Sequence, residues 1–262
     1  MLQEKQRPRR ASEKTEPLAA DDLEIVPFNP LQPNYIAEIA SQELLGRDCY
    51  PLSNLPRFKG AGVYAIYYHG DSPYYQPISR ANQIGCRSPI YVGKADPPGA
   101  RRGTAVSAPG YAVYNRLKQH ADSIRQAYNP GTPGHLDINN FKVRFLVMDP
   151  IWIGMTESLS ISKFKPPWNG YIDGFGHHDQ GATRRTQERS KWDTLHPGRP
   201  WATHFKQNPL SIDEIARGLA AYFANPDAFR SLPRKRGPSH LETDQEIPIE
   251  VDEVSEDDQS PE

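Results

Sequence analysis

The sequence has no apolar run long enough to cross a membrane. The longest apolar and aromatic stretch in its 262 residues, from Ala61 to Tyr68, is less than half of the roughly 18 residues that a spanning helix requires. Residues 1–22 mix bases and acids and contain no apolar segment of the kind found in secretion signals. These absences exclude an integral membrane protein and predict a cytoplasmic location.

Cysteine is scarce, and internal repeats are absent. Cys49 and Cys86 are the two cysteines of the chain. They are too few for a disulfide scaffold and lack the paired short spacing of a structural zinc site. We therefore predict two free thiols, buried or half-buried. The lack of a repeat at any solenoid period excludes a repeat protein.

Basic residues are missing from the end of the chain, where residues 241–262 hold ten acids and no base. The whole chain balances 31 Lys and Arg against 32 Asp and Glu, but residues 1–240 carry 31 bases against 22 acids, a formal charge of +9. A basic body with an acidic tail indicates a polyanionic partner. Bases scattered over a solvated face would give the same composition, so this alternative stays open.

Composition also divides the chain into a body and two tails. Residues 1–22 and 241–262 are rich in Pro, Glu, Ser, Gln and charge, and they have too little apolar surface to offset the entropy of ordering them. We predict two disordered tails around one domain, residues 23–240, with a sizeable core and long functional loops. The acidic tail either screens the basic body from nonspecific polyanions or aids solubility.

Hydrophobic periodicity predicts a small sheet covered by helices, in an α/β or α+β domain. Runs of β-branched and aromatic residues predict strands that begin at Gly62, Pro89 and Phe141. Apolar residues at helical spacing predict helices over Asn34–Leu45, Tyr111–Tyr128, Pro150–Phe164 and Ser211–Ala224. In the last helix, Ser211 and Glu214 have the spacing of a capping box.

Arg116 and His120 are unusual residues for the strongest predicted helix. Because they are four residues apart, they share one helix face, and both fall within or beside its apolar stripe. A cation and an imidazole there need a partner, which is either a structural salt bridge or a functional site. Glu157, the single acid between Asp149 and Asp173, is either an ordinary exposed helix residue or a metal ligand.

Six residues spread over successive predicted elements carry a resemblance to a known family. They occur in the order Tyr64, Tyr91, Arg116, His120, Glu157 and Asn169. The tyrosines stand in the triplets GVY and YVG of the first two strands, and the asparagine stands in PPWNG. This order of residues and elements resembles the GIY-YIG nuclease family. The chain departs from the name-giving letters at Val63 and Val92, both β-branched replacements for Ile.

Within that family the chain is most similar to the type II restriction endonucleases that recognise CCGCGG. The likeness extends over about residues 34–206 and includes YVGKA, PPWNG and the downstream SKWDTLHPGRPWA. It implies a GIY-YIG fold, with a small, mostly antiparallel three-stranded sheet flanked by helices and with long DNA-binding loops. It also implies double-strand breaks in a GC-rich palindrome, inside a bacterial cell that holds a cognate DNA methyltransferase.

The resemblance implies a role for each site residue. Glu157 would hold one Mg²⁺ per active site, because it is the one conspicuous acid. Arg116 would stabilise the developing phosphate charge, while Tyr91 would orient the phosphate. Asn169 would position side chains or the phosphate through hydrogen bonds.

Tyr64 would be the general base for the attacking water. A free phenol with a pKa near ~10 is barely ionised at neutral pH, so Tyr64 needs a nearby cation. Lys94, three residues after Tyr91, is the candidate for that cation. His120 either assists the base or holds a water.

Specificity would come from contacts with base edges, most often from Arg or Lys to guanine. The candidate DNA-binding residues are Arg101, Arg102, Arg184, Arg185, Arg189, Lys191 and Arg199. A palindrome cut in both strands implies two symmetry-related catalytic centres, and hence a homodimer or homotetramer. We interpret the run His177 to Asp179 as a solvated or DNA-facing loop, because no fourth ligand for a second metal is evident nearby.

Two other functions stay open. One is a structure-specific or repair DNA nuclease, and the other is a noncatalytic DNA-binding protein on the same scaffold. The presence of all six motif residues argues against the noncatalytic protein. The lack of a recognisable separate DNA-binding module favours a compact restriction enzyme.

Overall fold

Four antiparallel strands form the central sheet in the order β1-β4-β2-β3. Their bounds are Tyr50–Pro51 for β1, Gly62–Tyr68 for β2, Pro89–Ala95 for β3 and Phe141–Val147 for β4. The computed structural model describes residues 29, 32–97, 99, 110–177 and 187–229. The predicted tails, 1–22 and 241–262, lie outside these residues.

Seven α-helices flank this sheet within the described part of the chain. They are α1 Pro33–Gly46, α2 Gln76–Ala81, α3 Ala112–Gln126, α4 Pro150–Phe164, α5 Pro167–Gly170, α6 Lys191–Leu195 and α7 Ile212–Ala224. Side-chain caps begin two of the longer ones. The Asp149 carboxylate accepts from the Ile151 N–H at the start of α4, and Ser211 with Glu214 forms a capping box on α7.

β2 is the central strand that divides the core, because all seven of its residues are buried and β3 and β4 pair with its two edges. Side chains alternate along a strand, so Tyr64, Ile66 and Tyr68 point to one face of the sheet. They pack with the apolar stripe of α3. Val63, Ala65 and Tyr67 point to the other face, where the second core cluster includes Leu44 of α1 and Ile153 of α4. The position of Tyr64 therefore directs its ring towards α3.

The α+β class and the antiparallel sheet flanked by helices are confirmed. The three predicted strands coincide with β2, β3 and β4, and the four predicted helices coincide with α1, α3, α4 and α7. The sheet has four strands rather than three, because β1 is a two-residue edge strand paired with β4. Such a short element has no periodicity that the sequence could reveal.

The prediction of two free thiols is wrong. Cys49 and Cys86 form a disulfide bond that joins residues 37 positions apart. The bond lies beside the second core cluster and links the segment after α1 to the loop before β3. Sequence spacing could not reveal this pair, because the fold alone brings the two segments together.

Candidate active site

Tyr64 and His120 form the centre of the candidate site. The Tyr64 hydroxyl oxygen lies 2.7 Å from His120 Nε2, and both side chains are fully buried. His120 stands within the buried stripe of α3, beside Leu117 and Ala121. With Nε2 unprotonated, the Tyr64 hydroxyl donates to the imidazole, so the pair is a path along which a proton can pass.

The surroundings of Tyr64 keep its phenol protonated. Burial raises the pKa of Tyr64 well above its usual value near 10, and electrostatic interactions with Tyr91 and Glu157 raise it as well. The Arg116 guanidinium lowers the pKa of Tyr64, both through its charge and through a hydrogen bond. The cation expected beside Tyr64 is therefore Arg116.

Lys94 does not supply that cation, so this sequence-based prediction is wrong. Lys94 lies opposite Val63 in the β2–β3 register, and directly opposed residues share a sheet face. Its side chain therefore points away from the Tyr64 face. Its ammonium is ion-paired with the Asp96 carboxylate at 2.9 Å.

The triplet YVG on β3 places Tyr91 on the same sheet face as Tyr64, and its glycine leaves space for the Tyr64 ring. Tyr91 lies opposite Ile66, and Gly93 lies opposite Tyr64. The Tyr91 ring stands edge-on to His120, with centroids 5.2 Å apart. A Cβ at position 93 would lie 2.5 Å from the Tyr64 hydroxyl oxygen. The register therefore requires glycine in YVG if that hydroxyl is to reach His120.

Arg116 lies one turn before His120 on α3, and its guanidinium is held by neutral acceptors. Nη1 donates to the Gln119 side-chain oxygen at 3.3 Å, and Nη2 donates to the Gly176 carbonyl at 3.1 Å. These bonds fix the cation beside the Tyr64 hydroxyl. Such a guanidinium suits the negative charge that develops on a phosphate.

Residues 174–177 form a loop that the sequence analysis missed as part of the site. The Phe175 ring stacks on His120 with centroids 4.6 Å apart and planes 17° apart, and it meets Tyr91 edge-on. A Cβ at Gly176 would lie 2.9 Å from the Tyr91 hydroxyl. The sequence does show an aromatic residue, Phe175, between two glycines shortly after PPWNG. It does not show that this ring packs on His120 of α3.

Asn169, on α5, contacts the main chain of β3. Its Oδ1 accepts from the Val92 N–H and its Nδ2 donates to the Val92 carbonyl, each at 2.8 Å. This two-point contact holds the strand at the residue between Tyr91 and Gly93. Asn169 is therefore linked to Tyr91 through the backbone of β3.

Glu157 stands half-buried on α4. Its negative charge contributes to the raised pKa of Tyr64, so it lies within electrostatic reach of the site. Among the described residues, no three His, Cys, Asp or Glu side chains cluster as a metal cage. A single carboxylate suits Mg²⁺, which keeps several waters and takes other oxygens from a substrate phosphate.

The predicted DNA-binding residues divide into three groups. Arg101, Arg102, Arg184 and Arg185 lie outside the described residues, as do His178 and Asp179 of the loop that was interpreted as facing solvent or DNA. Arg189 and Lys191 are half-buried, and they donate to the backbone carbonyls of Ala202 and Tyr171. Their predicted contact with DNA stays a prediction.

Arg199 is the third case, and its prediction as a base-reading residue is wrong. Only 1 % of its surface is exposed, and its guanidinium is bound to Asp193 and to backbone carbonyls inside the protein. A DNA base edge cannot reach it in this fold. The basic composition of its segment gave no sign that this one cation is buried.

The comparison with known families agrees with this geometry. The family model described as the Eco29kI GIY-YIG domain, a restriction endonuclease family, matches residues 56–223, a range that covers well over half of the chain and all six motif residues. No curated protein matches the chain. In the part of the chain that the structure describes, no helix is long and apolar enough to cross a membrane. The chain therefore belongs to the Eco29kI GIY-YIG family of restriction endonucleases, which makes it a DNA-binding nuclease.

Proposed function

We propose that this nuclease is a type II restriction endonuclease that makes double-strand breaks in a GC-rich palindrome, with CCGCGG as the first candidate site. The observation that carries the proposal is the buried hydrogen bond between Tyr64 and His120, on whose tyrosine hydroxyl the charges of Arg116 and Glu157 both act. A general base, a fixed cation and a lone carboxylate are the groups that phosphodiester hydrolysis requires.

Activation of the water follows from the protonated state of Tyr64. Because burial raises its pKa, Tyr64 is not ionised in advance and must release its own proton as it takes one from water. His120 Nε2, 2.7 Å away, receives the Tyr64 proton. The water oxygen then forms a bond to phosphorus while the bond from phosphorus to the 3′ oxygen breaks. His120 in this account assists the base, which is one of the two roles that the sequence left open.

Arg116 stabilises the negative charge of the reacting phosphate, and the Gly176 carbonyl holds its guanidinium in place. The Tyr91 hydroxyl, on the same sheet face, orients the phosphate oxygens. Glu157 would hold one divalent cation, Mg²⁺. When bound, such an ion would supply positive charge that stabilises the reacting phosphate.

A palindromic target requires two such centres, so the active form is a homodimer or homotetramer. A restriction enzyme also needs a cognate DNA methyltransferase in the same cell, since cleavage of the host's own sites would be lethal. Both partners, and a cytoplasmic location, are parts of this proposal.

Cleavage of two matched plasmids tests the proposal. One plasmid carries a single CCGCGG, and the other carries CCGCGC at the same place and lacks CCGCGG elsewhere. We expect Mg²⁺-dependent linearisation of the first plasmid alone, and its loss in EDTA. Discrete fragments from a larger phage DNA, without cleavage at CCGCGG, would show a restriction endonuclease with a different recognition sequence. A smear or nicks would favour a repair nuclease. Binding without cleavage would contradict the proposal that the protein cleaves DNA.

A further inference from the structure

The buried Arg199 makes an unusually complete set of hydrogen bonds. Nε and Nη2 donate to the two carboxylate oxygens of Asp193 at 2.6 and 2.7 Å. Nη2 also donates to the Gly174 carbonyl at 2.9 Å, and Nη1 donates to the carbonyls of Phe175 and His177 at 3.3 and 3.1 Å. These five bonds match the five donors of a guanidinium.

The same side chain is enclosed on both faces. Trp192 and Trp201 cover the two sides of the guanidinium, with ring centroids 4.3 and 4.4 Å from Cζ. Asp193 is also buried, and its second oxygen accepts from the Ser190 hydroxyl at 2.6 Å. A buried ion pair whose donors and acceptors are satisfied holds one geometry, because any departure leaves a polar group without a partner in a low-dielectric interior.

This ion pair acts on the loop that backs the active site. Three of the four carbonyls of residues 174–177 accept from Arg199, and the remaining one, that of Gly176, accepts from Arg116. The Phe175 ring in the same loop stacks on His120. Arg199 thus binds this loop from the protein interior, and Arg116 binds it from the active site.

We propose that Arg199 and Asp193 are positioning residues of the nuclease centre. They hold residues 174–177 in the one arrangement that lets Phe175 support His120 and lets the Gly176 carbonyl fix Arg116. This inference rests on the proposed function, since its readout is DNA cleavage. A misplacement of roughly 1 Å in a catalytic group can cost about 10²-fold in rate, so the ion pair controls the chemical step more than DNA affinity.

Arg199→Lys tests this role, because lysine keeps the charge but lacks the planar fork that holds three carbonyls. The matched control is Arg144→Lys. Arg144 also donates to two backbone carbonyls, those of Arg47 and Cys86, but it contacts Tyr67 on the opposite sheet face. We expect R199K to lower the single-turnover cleavage rate about 10- to 100-fold and to keep the DNA dissociation constant, measured without Mg²⁺, within about twofold. R144K should leave both quantities within about twofold of wild type.

The outcomes separate this inference from the proposed function. If wild type and R199K cut equally fast and have similar melting temperatures, the positioning role of Arg199 is overturned. The proposed nuclease function then still stands. R199K that loses affinity and rate in equal measure also overturns the positioning role, because the residue then serves DNA binding. Should R199K fail to fold, Trp201→Phe loosens one face of the same guanidinium and must lower the rate several-fold. An unchanged rate in W201F overturns the inference. Wild-type protein that binds but never cuts DNA defeats the nuclease mechanism and the inference together.

Discussion

Two buried tyrosine–histidine pairs occur in the part of the chain that the structure describes, and different charges act on them. Tyr64 bonds to His120 beside the charges of Arg116 and Glu157. In the second pair, His196 Nε2 lies 2.5 Å from the Tyr75 hydroxyl, and its Nδ1 donates to a backbone carbonyl. The charges of Arg116 and Glu157 act on the hydroxyl of Tyr64 in the first pair. In the second pair the charge of Arg199 acts on the imidazole of His196.

The second pair makes the stability of the fold sensitive to acid. The pKa of His196 is lowered from 6.5 to about 4. Burial is the main cause of this shift, the bond to the Gly134 carbonyl opposes it, and the Arg199 charge adds to it. Between about pH 6.5 and pH 4 the unfolded chain thus binds a proton that the folded chain does not. The contribution is complete above pH 6.5 and is lost as the pH falls towards 4. We expect the free energy of unfolding to drop by about 3 kcal/mol over this window from His196.

Urea unfolding at several pH values, for wild type and His196→Gln, measures this contribution. The variant lacks the titrating imidazole, so its unfolding free energy should fall less steeply between pH 6.5 and pH 4. Equal slopes for the two proteins would show that His196 is protonated in the folded state and would refute the assignment.

At the scale of elements, the site depends on how strands and helices meet. The β2–β3 register places Gly93 against Tyr64, and Asn169 of α5 holds the backbone of β3 at Val92. The strands themselves were predictable, because their β-branched and aromatic runs end at clear turn signals. The contact between Asn169 and Val92 was not predictable, since the two residues are 77 positions apart in the sequence.

Gly93→Ala tests the register directly. The added Cβ would lie 2.5 Å from the Tyr64 hydroxyl oxygen, and because both groups sit in packed strands, we expect the tyrosine ring to move away from His120. The single-turnover cleavage rate should fall by at least about 10-fold, with a loss of unfolding free energy of about 1–3 kcal/mol from overpacking. Gly46→Ala is the control, because a Cβ there meets nothing within 4 Å. Normal cleavage by G93A would contradict the proposed role of the glycine.

At the scale of the whole molecule, the motif residues predicted more than composition did. The order of six residues on five elements indicated both the fold and the site, and the geometry brings Tyr64, His120, Arg116 and Tyr91 to one sheet face. The basic residues from Arg184 to Arg199 were predicted to contact DNA, yet Arg199 is buried. Charge counts cannot distinguish an exposed cation from one that organises a loop.

The disulfide is the other whole-molecule feature that the sequence did not predict. Cys49 and Cys86 are 37 positions apart, and closing a loop of that length stabilises a fold by up to about 4 kcal/mol in the chain-entropy account. We expect a reducing agent to lower the unfolding free energy of wild type by about 2–4 kcal/mol. The control is Cys49→Ser with Cys86→Ser, whose stability should not respond to the reducing agent. Two free thiols in the purified, unreduced protein would contradict the bond.

The central claim is that the cluster around Tyr64 hydrolyses DNA with the help of one cation held by Glu157. The most direct measurement compares Glu157→Ala with Glu43→Ala in single-turnover cleavage and in DNA binding. The Glu43 variant removes an exposed acid that is paired with Arg47 on the surface. The account predicts that E157A binds DNA within about threefold of wild type and loses cleavage by at least about 10³-fold, while E43A cuts normally. Cleavage by E157A at a rate near that of wild type would contradict it.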